Sequence, residues 1–442
     1  MSPVKKVGFY TLGCKVNQYE TQAMMRCMAD NGYETGEYLP GSPDAGDAVI
    51  VLNSCTVTGE SDRKLRQLLR RCRRENPRAV LVLTGCLPQA FPEEAEGFAE
   101  ADVVLGNAAR AALPRCVNQY RELGHRIVEI PDHGKAFESL SIDAFQGRTR
   151  AFVKIEDGCD RFCAYCVIPR ARGRVRSKPI PELYSELRLL AARGYREVVL
   201  VGINLTAYGK DTGADLCDAV ETACAVEGID RVRLGSLEPD CLTPAVIARL
   251  ASPGCSSLCP QFHLSLQSGC DATLSRMRRR YTTDEYRQVC ERLREAFPGC
   301  ALTTDVMVGF PGETGEEFER SRRFVEEIGF ARVHVFAYSR RAGTPAATAP
   351  GQVSRAEKAR RAALMADTAA AGRDAFAAAH IGRIAEVLVE TREESGAALG
   401  YTRDYLPVRV LAVGDALPEP GSIVRVRLTG ADEGTCTGMP GP

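Results

Sequence analysis

Three cysteines within eight residues, Cys159-Asp-Arg-Phe-Cys163-Ala-Tyr-Cys166, constrain this chain more than any other stretch. A loop this short gathers three thiols round one small body, and the C-x3-C-x2-C spacing suits three irons of a single 4Fe–4S cube. Such clusters ordinarily take four cysteine ligands, yet the run continues Val167-Ile168-Pro169-Arg170 without a fourth. One iron is then left open, as catalytic metal sites keep an open position. A structural zinc site is the competing reading. Zinc knuckles usually pair two C-x2-C-type units, and Phe162 and Tyr165 between the thiols suit a dry redox pocket better.

At 442 residues the length allows roughly three domains. Hydrophobic residues at 45% and charged residues at 26% imply globular bodies with sizeable cores. Basic and acidic residues balance at 57 each, so bulk charge does not call for nucleic acid, and the clustering of the bases matters more. No apolar run approaches the ~18 residues of a membrane span. The start Met1-Ser-Pro-Val-Lys-Lys6 lacks a signal peptide's apolar core, so a cytoplasmic protein without membrane contact is expected. In that reducing compartment 18 cysteines read as metal ligands or buried thiols, not disulfides.

Residues 1–124 alternate strands and helices. Apolar runs Lys5–Leu12, Ala48–Leu52, Ala79–Leu83 and Asp102–Leu105, separated by helical stretches such as Gln18–Asn31, predict βα units and a parallel sheet. Three of these strands lead to a cysteine: Cys14, Cys55 and Cys86. Ligands of such sheets bind beyond the strands' carboxyl ends, so the three thiols would converge there and suit a second iron–sulfur cluster. Cysteine is also a common buried residue, and Cys27, Cys72 and Cys116, inside helical stretches, are read as structural. Asp62–Arg74 carries seven Arg or Lys, Arg70 among them, around an apolar face. It is either a solvated helix face or a phosphate contact.

Residues 125–148 show little periodicity and read as a linker. From 149 to 379 the alternation resumes, with strands at Phe152–Ile155, Val198–Val201, Val232–Leu234, Phe262–Leu266, Leu302–Val308 and Val333–Phe336. Pro181 opens a helix there and Gly194 closes it. Ser354–Ala379 is one long helix, and residues 380–442 become short strands (Ala385–Glu390, Leu406–Val413, Ile423–Leu428) of an all-β mini-domain.

The cysteine motif, continued as Val167-Ile-Pro-Arg-Ala-Arg-Gly173-Arg-Val-Arg-Ser177, resembles the radical S-adenosylmethionine (SAM) superfamily and, within it, the methylthiotransferases. Thr11-Leu-Gly-Cys14-Lys-Val-Asn17-Gln-Tyr-Glu-Thr21, Asn53-Ser-Cys55 and Thr84-Gly-Cys86 are similar to that family's N-terminal domain, where three cysteines hold an auxiliary 4Fe–4S cluster. The resemblance implies a partial (β/α)6 barrel with its site at the strands' C-terminal ends, and Cys159, Cys163 and Cys166 holding the cluster that cleaves SAM. Motifs after successive strands imply the SAM contacts Tyr165, Gly202, Asn204, Ser236, Glu238 and Gln267. Ser265 departs from the proline expected of the family at its position.

Gly400-Tyr-Thr-Arg-Asp-Tyr-Leu-Pro-Val408 resembles the TRAM domain, a small RNA-binding barrel. It suggests RNA contacts at Tyr401, Arg403 and Tyr405, beside basic patches that include Arg70, Arg172, Arg174, Arg278 and Arg279. Yet residues 380–442 hold six arginines and no lysine against nine acids, a poor electrostatic anchor for RNA.

Leu12-Gly-Cys-Lys-Val-Asn-Gln-Tyr-Glu20 is most like the threonylcarbamoyladenosine tRNA branch. The implied reaction is 2-methylthiolation of that base beside the anticodon, with the auxiliary cluster binding the sulfur to be inserted. The implied partners are a tRNA anticodon stem-loop, an electron donor such as flavodoxin or ferredoxin, and a sulfur source. Isopentenyladenosine in tRNA, a ribosomal protein as substrate, and an RNA-binding iron–sulfur sensor without turnover are the alternatives.

Overall fold

A computed structural model describes residues 5–41, 48–138, 140–394, 396–412 and 417–440. The first four residues and Val413, the expected end of one strand, lie outside the described residues.

Continuous aliphatic runs, buried on both faces, make the central parallel strands of the first body. Strands β1 (Lys5–Thr11), β2 (Tyr33–Glu37), β3 (Val49–Ser54), β4 (Val80–Gly85), β5 (Val103–Leu105) and β6 (Ile127–Glu129) form one sheet in the order β2-β1-β3-β4-β5-β6. Helix α1 (Lys15–Asp30) follows β1, and α2 (Gly59–Glu75) follows β3. Helix α1 begins three residues earlier than the sequence suggests, because Cys14 itself takes the N-cap position. The expected linker needs correction. Its triplet Ile127–Glu129 is too short to show a period, yet it pairs with β5, and Phe137, Ile142 and Phe145 beyond it are buried.

The second body contains β7 (Arg150–Lys154), the short antiparallel pair β8 (Glu156–Asp157) and β9 (Arg176–Ser177), then β10 (Glu197–Val201), β11 (Arg231–Leu234), β12 (Ser236–Leu237), β13 (Gln261–Gln267), β14 (Ala301–Val308) and β15 (Arg332–Ala337). The parallel orders are β11-β10-β7 and β12-β13-β14-β15. Strands β11 and β12 are one strand interrupted at Gly235, whose N–H still bonds Leu200 O at 2.8 Å. Before the break it pairs with β10, after it with β13. The six strand positions therefore follow one another as the expected partial (β/α)6 barrel does.

Helix Arg355–Ala378, capped by Ser354, leads to the third body. There β16 (Ile384–Arg392), β17 (Ala397–Thr402), β18 (Pro407–Leu411), β19 (Ile423–Asp432) and β20 (Thr435–Pro440) close a barrel around Val387, Val389, Val408, Val426 and Leu428. His380 fastens this barrel to the helix. Its Nε2 meets Asp404 Oδ2 at 2.7 Å and its Nδ1 meets Phe376 O at 2.8 Å, two acceptors that suit an imidazolium. The hydrogen bond to Asp404 raises the His380 pKa against the opposing effect of burial. A raised folded pKa gives stability that is complete below the unfolded value of about 6.5 and lost as pH climbs through the folded one. Thermal unfolding should therefore drop by roughly a few degrees between pH 6 and pH 8. The His380→Gln variant, followed by calorimetry across that range, should lose most of this slope.

Buried charges join the first two bodies. Lys154 Nζ lies 2.8 Å from Glu20 Oε1 and 2.6 Å from Asp157 Oδ2, while Arg110 Nη2 reaches Glu20 at 3.1 Å. Arg172 adds a two-pronged bond to the Glu20 carboxylate, with Nη2 at 3.0 Å from Oε2. Burial alone would raise Glu20, but Arg110, Arg172 and Lys154 outweigh it and bring its pKa to about 2. Arg341, bonded to Asp62 and Thr56, ties the loop after β3 to the end of the second body.

Candidate active site

Gly158 opens the Cys159–Cys166 loop at φ +89°, and a Cβ there would lie 1.9 Å from Arg174 O, so only glycine fits. Backbone bonds then fix the loop: Cys159 N–H to Gly173 O at 3.0 Å, Ala164 N–H to Met277 O at 3.0 Å, and Ala346 N–H to Ala164 O at 2.9 Å. Cys163 is buried, with Arg279 Nη1 3.4 Å from its Sγ. Burial pushes the Cys159 and Cys166 thiols up to about 11 and about 12, and their mutual repulsion with Cys163 adds to this. Thiols so placed release their protons when a cation binds them as thiolates. Three such groups on one loop, with a guanidinium alongside, match an iron–sulfur donor set.

Of the expected SAM contacts, Tyr165 stands within this loop and Asn204 beside it. Tyr165 packs edge-on to Phe310, ring centroids 6.3 Å apart. Asn204 Nδ2 lies 3.8 Å from Cys159 Sγ, and its backbone N–H bonds Glu156 Oε2 at 2.7 Å. A Cβ on Gly202 would come within 2.7 Å of that same carboxylate oxygen, so the glycine opens a cradle. The other Glu156 oxygen is buried without a partner, and burial raises this carboxyl's pKa well above the usual range. An orphaned oxygen beside a glycine cradle and three thiols fits a polar cofactor. Gln267 takes φ +67° at an irregularity in β13 pairing. Glu238 receives Arg279 Nη2 at one carboxylate oxygen, Oε2.

The second thiol set lies at the carboxyl ends of β1, β3 and β4. Asn17 bridges it: Cys14 Sγ approaches Asn17 Oδ1 at 3.3 Å, and Asn17 Nδ2 lies 3.9 Å from Cys86 Sγ. Burial lifts Cys55 to about 12, with Cys86 and Cys14 pushing the same way. The Arg172 guanidinium acts electrostatically on Cys86 and Cys14, opposing the burial of the Cys14 thiol. The donor chemistry again fits an iron–sulfur cluster.

Between the sets runs a cleft of about 330 Å³ that includes Cys14, Lys15, Gly202 and Ser236. From β13, β14 and β15 it receives His263, Asp305, Arg332 and His334, which the motif reading missed as site residues. Their signal is the alternation Gln261-x-His263, Thr303-x-Asp305 and Arg332-x-His334, polar residues at every second position of barrel strands. His334 is held below its ordinary pKa by burial.

The expected RNA contacts divide. Arg278 is exposed, and Arg174 is exposed beside Asp160 at 3.1 Å. Arg172 is fully buried among carboxylates, and the Arg279 side chain is buried against Glu238, so neither can reach a phosphate. Arg70 faces Glu100 at 3.5 Å, while Arg63, Arg66, Arg71 and Arg73 also have carboxylate partners, which leaves helix α2 largely neutralised. Tyr401 and Tyr405 stack at 4.5 Å and receive the Arg150 guanidinium at 5.0 Å from each ring. Arg403 bonds Ser256 O at 2.8 Å. These three dock the third body onto the second, while Tyr405 still lines the cleft and both tyrosines line the adjoining hollow.

Comparison with known proteins agrees with this construction. Residues 153–325 match the Radical SAM superfamily, and residues 6–106 match Uncharacterized protein family UPF0004. The chain is 37% identical to threonylcarbamoyladenosine tRNA methylthiotransferase MtaB of Bacillus subtilis, over 96% of this chain and 93% of that one. It is 35% identical to tRNA-2-methylthio-N(6)-dimethylallyladenosine synthase of Anaeromyxobacter dehalogenans, over 99% and 94%. The radical SAM methyltransferase TsrM of Kitasatospora setae shares the fold at TM-score 0.56 and 14% identity, covering 78% of this chain and 77% of that one. The two thiol sets fit the family's cofactors, SAM and two 4Fe–4S clusters. The chain belongs to the radical SAM tRNA methylthiotransferases.

Proposed function

We propose that this enzyme methylthiolates C2 of N6-threonylcarbamoyladenosine at position 37 of tRNA. The observation that carries it is the cleft, which has a thiol of the auxiliary set at its wall and cationic side chains within. Support also comes from relatives of that name at 37%, 36% and 34% identity. A dimethylallyladenosine substrate is the second reading, favoured by relatives at 35% and 32% identity.

In this assignment Cys159, Cys163 and Cys166 hold the SAM-side cluster, and Cys14, Cys55 and Cys86 hold the other. When bound, SAM and the clusters supply hydrogen abstraction, a methyl group and a seat for sulfur. The chain's own residues position and protect. Glu156, whose burial favours the protonated form, turns its unpartnered oxygen to the cofactor's polar end, and the Asn204 backbone N–H fixes that carboxyl in place. Arg279 sets positive charge against Cys163 and holds one oxygen of Glu238. Lining the cleft, Phe152, Val199 and Val201 exclude water from the reacting edge of the base.

Residues 1–124, 149–379 and 380–442 would act as auxiliary, SAM-cleaving and tRNA-orienting domains. Arg174 and Arg278 would meet the anticodon stem-loop. An electron donor such as flavodoxin or ferredoxin, a sulfur source and a cytoplasmic setting complete the proposal; among the described residues no helix is long and apolar enough to cross a membrane. The test compares tRNA bearing threonylcarbamoyladenosine with tRNA bearing isopentenyladenosine, each product read by nucleoside mass spectrometry. Preference for the first by roughly a hundred-fold or more is expected, since polar sites discriminate strongly against apolar analogues. Preference for the second would move the enzyme to the sister reaction.

A further inference from the structure

The cleft holds two basic side chains that no carboxylate pairs among the described residues. Lys15, the first residue of α1, has no carboxylate or hydrogen-bond partner among the described residues; its ammonium lies 5.9 Å from the Phe152 ring centroid. Arg332, the first residue of β15, likewise has no such partner and borders both this cleft and the adjoining hollow beneath Tyr401.

The other cations of the cleft are already engaged. Arg150 pairs with Glu390 at 2.6 Å, and Arg233 pairs with Glu197 at 3.0 Å while donating to Arg403 O at 3.0 Å. Among the described residues lining the cleft the one carboxylate is Asp305, 3.4 Å from His263 Nε2. Ligand atoms of His263, Asp305 and His334 all lie within 4.8 Å of one another, a spacing a metal ion could bridge. Two unmatched cations against a single carboxylate oppose a divalent cation there and favour an anion.

We propose that Lys15 and Arg332 seat the carboxylate of the threonylcarbamoyl group, and so select that base over one carrying an isopentenyl group. This rests on the substrate reading above. A planar guanidinium matches a carboxylate with two parallel bonds, and an ammonium adds a point charge. An isopentenyl group entering the same space would desolvate both cations and pair neither, which is how polar sites reject apolar analogues. A tRNA backbone phosphate is the other source of the same anionic chemistry, and the test separates the two.

The full-length enzyme with its clusters would be titrated with three anticodon stem-loops. These carry threonylcarbamoyladenosine, the same base with its carboxylate converted to the amide, and unmodified adenosine. Wild type should bind the acid at least about ten-fold more tightly than the amide, as charge-assisted bonds imply. In Lys15→Met and in Arg332→Gln that ratio should fall toward one, and Arg332→Lys should restore part of it. The two positions lie on different elements, so misfolding of one variant leaves the other as the test. If the cations hold a backbone phosphate, every stem-loop weakens alike and the ratio stays unchanged, which overturns the proposal. A wild-type enzyme indifferent to amidation overturns it as well. Failure of the substrate reading looks different, since wild type would then turn over the isopentenyl tRNA in preference.

Discussion

Cys163→Ala is expected to end SAM cleavage, while Cys55→Ala should continue to cleave SAM yet yield no methylthiolated base. The two thiols serve separate places. Cys163 is buried in the loop fixed through Met277, Gly173 and Ala346, next to the Glu156 cradle. Cys55 follows β3 in the other body, where its electrostatic neighbours are Cys86, Cys14 and Arg172. With only three cysteines on each loop set, loss of one leaves two ligands for a cluster that needs at least three, so activity should fall below about 1% in the affected half-reaction. Iron analysis should find each variant short by one cluster, and 5′-deoxyadenosine measured beside modified nucleoside separates the two losses. Normal product formation by Cys55→Ala would sink the two-site assignment.

Most strands of the first two bodies and both thiol sets could be read in the sequence because each rests on local signals, whereas β2, with few apolar residues, and the strand order could not. Apolar runs ending in a cysteine mark β1, β3 and β4, and the C-x3-C-x2-C loop is contiguous. Long-range pairing was less visible. A short strand such as β6 has too few residues to show alternation, so it looked like a linker until β5 supplied its partner. Charge misled most. Arg172 and Arg279 stand in stretches dense with arginine, and sequence alone does not reveal that Glu20, Asp157 and Glu238, distant in the chain, wait to bury them. Tyr401 and Tyr405 look like a stacking platform for bases, yet Arg150, some 250 residues earlier, occupies them. The cleft residues His263, Asp305, Arg332 and His334 are hidden for the opposite reason, since residues within or beside apolar strand runs read as scaffold although their alternation marks one face.

Arg172→Met gives the sharpest test of that correction, because the two roles predict different losses. As a phosphate contact, the side chain would be worth tRNA affinity and little stability. As the hub seen here, it holds Glu20 through both carboxylate oxygens and lies 3.5 Å from Asp157. Truncation leaves those buried carboxylates under-compensated, a change that typically costs about 3–5 kcal/mol. For a body of this size that is a fall in unfolding temperature of roughly 10 °C. The charge also acts on Cys14 and Cys86, so the auxiliary iron should be lost more readily than the other during gel filtration. Adding Glu20→Gln should recover part of the stability, since removing both partners of a buried pair is milder than orphaning one, and the two effects should miss additivity by at least about 1 kcal/mol. Calorimetry of the two single variants and the double variant measures this directly. A stable Arg172→Met protein whose only defect is weaker, less salt-sensitive tRNA binding would return this arginine to the RNA surface.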